Sequence, residues 1–312
     1  MYGVIDIGSN TIRLSIYKIE TGNVIKQLTN KKKVVGLARY VDNNKNMSAK
    51  GIKKTISVLK EYKDIIKCNR TEKVFIFATA SIRNINNTEE VVERIYNETK
   101  MIVEVISGEE EAYYDYIGAT YKNNIKNGII MDIGGGSTEL VFIKDKEIKK
   151  KISLPIGSLN TYTNYVHNLI PTHKEYKTIK KIVINYLDDI ELDNKEYPII
   201  YGIGGAIRGT FKINNDISNE LPENTKLKAK NVKSLVKDFI ENPKNAIAEI
   251  IEIVPDRIHT IMPGMIILKV MSKYYKCENI VLSPYGIREG FLIENIINKT
   301  NKGCKKTYNY CD

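Results

Sequence analysis

Read for the alternation of apolar and polar positions, the chain opens with short buried runs rather than helical stripes. Residues 3–7 (Gly-Val-Ile-Asp-Ile) read as a buried strand, and residues 11–20 alternate as a half-buried strand does. Thr21-Gly22-Asn23 is a hairpin signal, and residues 24–35 follow it as a third antiparallel strand. Residues 48–68 carry Ile52, Ile56, Leu59, Ile65 and Ile66 at helical spacing. A short buried strand at 74–78 follows, then a helix at 87–100 with Val91, Val92 and Ile95 inward. A fifth strand is expected at 101–106, and Ser107 opens another helix. The order then starts again. Strands at 128–132, 139–144 and 147–154 precede helical stretches and a strand at 198–202. Helices around 232–241, 246–253 and 263–275, a strand at 279–283 and a last helix around 287–298 complete it.

This pattern is a β-β-β-α-β-α-β-α unit written twice, with insertions in the second copy. A repeat of this size predicts paired domains rather than a solenoid, whose period is far shorter. The expected division is residues 1–120, completed by a C-terminal helix at 287–300, then 121–286 with helical insertions and a polar tail at 301–312. A helix-mediated hinge near residues 118–126 is expected between the halves.

Composition narrows the class. At 312 residues, with 42% hydrophobic and 27% charged content, the chain suits two domains of ordinary size and is not a disordered protein. No run approaches the roughly 18–20 apolar residues of a membrane span, and the N-terminus lacks a secretory layout, so the expected location is the cytoplasm without a membrane partner. Cys68, Cys277, Cys304 and Cys311 show no metal spacing and read as free thiols. The formal charge of +11 favours a polyanionic partner, or reflects lysines filling solvated faces. The absence of zinc-finger, aromatic RNA-binding or dense arginine motifs argues against specific nucleic-acid binding.

Each copy opens on an Asp at the end of a buried strand, followed by a glycine turn: Asp6-Ile7-Gly8-Ser9-Asn10 and Asp132-Ile133-Gly134-Gly135-Gly136-Ser137-Thr138-Glu139. Glycines there accept positive φ and let backbone N–H groups approach an anion closely. Two such turns predict two halves closing on one phosphate-bearing ligand. Between them, Ser107 and Glu110 fit a capping box, which makes Glu110 structural and leaves Glu111 for chemistry.

Together with Ala78-Thr-Ala-Ser-Ile-Arg83, Ser107-Gly-Glu-Glu-Glu-Ala112, Gly202-Ile-Gly-Gly205 and Gly286-Ile-Arg-Glu-Gly290, these turns resemble the exopolyphosphatase/guanosine pentaphosphate phosphohydrolase family in its short, two-domain form. The resemblance covers nearly the whole chain. It implies an α/β fold of duplicated RNase H-like domains, of the actin, sugar-kinase and heat-shock-chaperone superfamily, with an interdomain active-site cleft. It further implies metal-assisted, in-line attack of water on the terminal phosphate of inorganic polyphosphate, distributive and favouring shorter chains. The alternatives are a pppGpp 5′-phosphohydrolase and a silent sensor of either ligand; a homodimer is a candidate assembly.

The roles combine local chemistry with that resemblance. Asp6 and Asp132 would hold Mg²⁺ through carboxylates, waters and substrate oxygens. Gly8, Ser9, Asn10, Gly134, Gly135, Gly136, Ser137 and Thr138 would donate to phosphoryl oxygens, and Arg83 would clamp them. Glu111 is the expected general base, with Glu139 positioning the water or metal; the two roles are interchangeable. Gly204 and Gly205 belong to a turn that resembles the superfamily's adenosine-side turn, and would serve the distal part of a long anion, a guanosine, or only tight helix–strand packing. Arg13 is a weaker candidate, and Arg288 and Glu289 match a family motif that also suits a lock on the last helix. His167, His173 and His259 are expected to be structural. Tyr113, Tyr114, Tyr116 and Tyr121 are expected in the core and the domain interface.

Overall fold

The computed structural model describes residues 1–192 and 195–298. Cys304, Cys311, the predicted tail 301–312 and the end of the predicted helix 287–300 lie outside the described residues. Two compact units divide the chain: Met1–Gly118 with the residues from Ile287 onward, and Ala119–Gly286.

The first unit runs β1 (Tyr2–Ile7), β2 (Thr11–Glu20), β3 (Val24–Val34), α1 (Ala49–Cys68), β4 (Lys73–Ala78), α2 (Ala80–Arg83), α3 (Thr88–Thr99), β5 (Glu104–Val105) and α4 (from Gly108). Its sheet has the order β3-β2-β1-β4-β5, with β1 antiparallel to β2 and parallel to β4. The fifth strand is shorter than the six residues predicted. Met101 and Val103 are buried against the core, while Ile102 is 48% exposed, so these positions alternate like a strand but form no ladder.

The second unit runs β6 (Gly128–Ile133), β7 (Thr138–Lys144), β8 (Glu147–Leu154), α5 (Ser158–Tyr165), α6 (His173–Asp188), β9 (Ile199–Ile203), α7 (Gly204–Ile217), β10 (Lys226–Lys228), α8 (Ala229–Glu241), α9 (Pro243–Ile253), α10 (Ile261–Tyr274) and β11 (Asn279–Leu282). Its order is β10-β11-β9-β6-β7-β8. Read from the third strand inward, β8-β7-β6-β9-β11 repeats β3-β2-β1-β4-β5. The extra strand β10, too short to read from periodicity, pairs antiparallel on the edge. Both units thus have the RNase H-like arrangement, built twice.

Register decides which side chains share a face. In the first sheet Ile5 lies opposite Leu14 and Ile7 opposite Ile12, and this face packs with Ile52, Ile56 and Leu59 of α1 and Val91 and Ile95 of α3. Tyr62 of α1 is buried and donates to the Ile12 carbonyl at 2.9 Å, giving its hydroxyl the partner burial demands. The opposite face carries Val4, Asp6, Arg13, Ser15 and Tyr17, and β4 adds Phe75 and Phe77. Helix α11 (Ile287–Leu292) covers it, with Phe291 stacked 5.0 Å from Phe77 and tilted against Tyr114 at 4.9 Å. In the second unit α10 is apolar nearly all round and buried nearly throughout, as a central helix should be.

Gly290 permits the approach of α11 to α4, since a Cβ there would overlap the Tyr114 carbonyl. Gly290→Ala should therefore destabilise the fold by about 3 kcal/mol or more through overpacking against backbone. Denaturant unfolding checks this, and a change below about 1 kcal/mol would contradict the close packing.

Candidate active site

Both glycine turns are built alike. Gly8 N–H donates to the Thr11 carbonyl at 3.0 Å, and Gly134 N–H donates to the Ser137 carbonyl at 3.0 Å. Their carbonyls are then held from one side. In the first unit the Ser9 carbonyl accepts from Ala38 N–H at 3.1 Å, and that of Asn10 from Val35 and Gly36 N–H, both at 2.9 Å. In the second, the Gly134 and Gly135 carbonyls accept from the first N–H groups of α5, and the Gly136 carbonyl accepts from Asn160 Nδ2 at 2.8 Å. The N–H groups of Ser9, Asn10, Gly135, Gly136 and Ser137 donate to no backbone carbonyl among the described residues. Donors with no backbone partner, on a loop fixed through its acceptors, are what an anion requires.

The expected reason for the glycines needs correcting. None of Gly8, Gly134, Gly135 and Gly136 has a left-handed φ. Space is the constraint instead: a Cβ on Gly8 or Gly134 would lie 3.1 Å from the carbonyl that closes its own turn. Thr138 also departs from its predicted role, because its buried hydroxyl donates to the Ile156 carbonyl at 2.6 Å and is no phosphate donor.

In the first unit the structure brings Arg83 and Glu111 together. Arg83 Nη1 lies 2.7 Å from Glu111 Oε2 and 3.2 Å from the Ile106 carbonyl. The pair is largely buried, at 17% and 11% side-chain exposure. The capping box holds: Glu110 N–H donates to Ser107 Oγ at 3.2 Å, and Ser107 N–H to Glu110 Oε2 at 2.8 Å. Adjacent helical residues point about 100° apart, so a Glu110 turned back to the cap leaves Glu111 facing Arg83. Asp6 stands opposite Arg13 in the β1–β2 ladder, and Arg288 Nη1 lies 3.5 Å from its Oδ2. Burial raises the Asp6 carboxyl above its ordinary value, against the pull of Arg288 and Arg13.

In the second unit Asp132 stands opposite Glu139, and Glu139 opposite Ser153. Glu139 is 1% exposed and its Oε1 accepts from Ser153 Oγ at 2.7 Å, so it is an internal carboxylate and not a solvent-facing strand residue. Gly204 has φ +82°, and a Cβ there would overlap Asp132 Oδ1. Gly205 has the same relation to the Arg257 guanidinium, which burial and Arg208 push below its ordinary basicity while Asp256 and Asp132 oppose them. Ser153 and Arg257 carry no signal in the sequence; the cross-strand register brings forward the first and the glycine contacts the second. His167 and Glu175 interact at 2.7 Å beside the α6 cap, and the His259 ring meets that of Tyr162 at a tilt, 4.8 Å between centroids.

Residues 15–299 match the Ppx/GppA phosphatase family, and the chain belongs to it. It is 31% identical over 312 residues to the bifunctional 3-dehydroquinate synthase/phosphatase of Fusobacterium nucleatum, covering 95% of this chain and 46% of that protein. The chain thus spans about half the length of that relative. It is 22% identical over 306 residues to exopolyphosphatase 1 of Mycobacterium tuberculosis, covering 94% of this chain and 88% of that one. The crystal structure of the Aquifex aeolicus Ppx/GppA family member superimposes with a TM-score of 0.77 at 29% identity, covering 96% of this chain and 98% of that one.

Two substitutions rank the contacts around the start of α4. Ser107→Ala should cost about 1 kcal/mol through loss of the cap. Arg83→Ala, which strips Glu111 of its buried counter-charge, should cost about 3 kcal/mol. Thermal unfolding of the two variants checks the order, and equal losses would contradict it.

Proposed function

We propose that this protein is an exopolyphosphatase that releases terminal phosphate from inorganic polyphosphate. The observation that carries the reading is the Arg83–Glu111 contact at 2.7 Å. A guanidinium shared between a carboxylate and a phosphoryl oxygen holds a proton acceptor beside the phosphate it clamps. Glu111 would then take the proton from the attacking water, and Glu139, held by Ser153, would orient that water or the metal. Ser9, Asn10, Gly135, Gly136 and Ser137 would offer N–H groups to the phosphate chain. In the second unit Arg257, whose guanidinium a Cβ on Gly205 would overlap, would meet the charge of an anion.

The donor set also bears on the metal. No group of three His, Cys, Asp or Glu gathers among the described residues, which disfavours an all-protein cage. Mg²⁺ needs none, because it keeps waters and takes phosphate oxygens. Asp6 and Asp132 are the residues that would hold it, and when bound it would neutralise charge developing on the phosphoryl oxygens.

The family name joins exopolyphosphatases to GppA-type enzymes, so the terminal phosphate of pppGpp is the second substrate to test. Neither substrate requires a membrane: no helix among the described residues is long and apolar enough to cross one.

Phosphate release should be measured from polyphosphates of defined length and from pppGpp, with Mg²⁺ and with chelator. The expected outcome is faster release from polyphosphate, loss with chelator, and intermediate chain lengths marking distributive cleavage. Glu111→Gln should lower kcat by ~10²-fold or more, the scale of general-base catalysis. Full activity in that variant would remove Glu111 from the mechanism.

A further inference from the structure

The face of the first sheet that carries Asp6 also carries a belt of polar side chains with no place in the reaction just described. Glu289 of α11 is 5% exposed, and its Oε1 accepts from the hydroxyl of Tyr17, itself 1% exposed. Gln27 Nε2 donates to Ser15 Oγ at 3.1 Å and approaches the Tyr17 hydroxyl at 3.4 Å. Asn30 Nδ2 reaches Gln27 Oε1 at 3.4 Å, and Arg13 Nη1 donates to Asn30 Oδ1 at 3.1 Å. Arg13 stands opposite Asp6, and Arg288, next to Glu289 on α11, returns the belt to Asp6 at 3.5 Å.

Holding α11 down does not call for this arrangement. Phe291 against Phe75, Phe77 and Tyr114, with Gly290 against the Tyr114 carbonyl, already docks the helix by apolar contact. Buried charged pairs add little stability over well-packed apolar residues, so geometry is the more economical account of their presence. Arg288 Nη1 meets Asp6 Oδ2 as a charge and through one long hydrogen bond at 3.5 Å. A contact made to Oδ2 orients the carboxylate and still leaves Oδ1 for a ligand.

We propose that Arg288 is a positioning residue: it fixes the orientation of the Asp6 carboxylate, while the Glu289–Tyr17 bond holds the α11 turn that presents it. The inference rests on reading the Asp6 turn as part of the phosphate and metal site. It gives the Gly286-Ile-Arg-Glu-Gly290 motif a role in the reaction beyond closing the fold.

A double-mutant cycle tests it. Phosphate release by wild type, Asp6→Asn, Arg288→Gln and the double variant is measured beside their unfolding midpoints, with Arg288→Lys and Tyr17→Phe as further arms. If Arg288 acts through Asp6, Arg288→Gln lowers kcat ~10–100-fold, and the double variant is no slower than Asp6→Asn alone. Arg288→Lys should recover part of the loss, and Tyr17→Phe should lower kcat less than Arg288→Gln does. Losses that multiply, a rise in KM alone, or a wild-type rate in Arg288→Gln would overturn the proposal. If the wild type releases no phosphate from polyphosphate or pppGpp, the activity assigned above falls instead. The same cycle read as Mg²⁺ affinity by calorimetry then decides: weaker binding in Arg288→Gln, with no further loss in the double variant, supports positioning, and unchanged binding overturns it.

Discussion

The backbone of β1 is hydrogen-bonded along both edges, to β2 on one side and β4 on the other, and β6 is held in the same way between β7 and β9. A strand fixed on both edges cannot slide by one residue without turning every side chain to the wrong face. Asp6 and Asp132 are therefore delivered to set points at the ends of their strands. The turn beyond each, the residue opposite each, and the helices that close on each are all referred to those points. Hydrophobic burial supplies most of the stability of these sheets, but register determines where their chemistry falls.

Much of this was legible in the sequence because it is local. The strand–turn–strand units, the capping box at Ser107 and Glu110, and the repeated order of elements each depend on residues a few positions apart. What escaped was long-range or depended on space. Ser153 lies fourteen positions from Glu139, and only the β7–β8 register joins them. Arg257 is placed by Gly205, a contact that no spacing foretells. Gly8 and Gly134 drew attention for a torsion they do not adopt, since glycine is equally the answer to a crowded carbonyl. Thr138 looked like a donor because a hydroxyl's partner cannot be known before the neighbouring strand end is in place.

The two copies also show where duplication has been edited. Arg13 and Glu139 each lie seven residues beyond the strand-ending Asp and directly opposite it, so they occupy one position of a shared frame. One copy sets a cation there and the other an anion. A frame made twice can thus carry unlike groups at like places.

The carbonyls of each glycine turn are gripped by whatever follows the third strand of its own unit: Val35, Gly36 and Ala38 after β3, and the start of α5 after β8. That imposes a rule on how such a chain can grow. A segment spliced between β8 and Ser158 would pull the grip away from Gly134 and Gly135, and one spliced between β3 and Ala38 would do the same in the first unit. The second unit carries its additional strand and helices beyond this point, where added chain leaves the residues behind each turn in place.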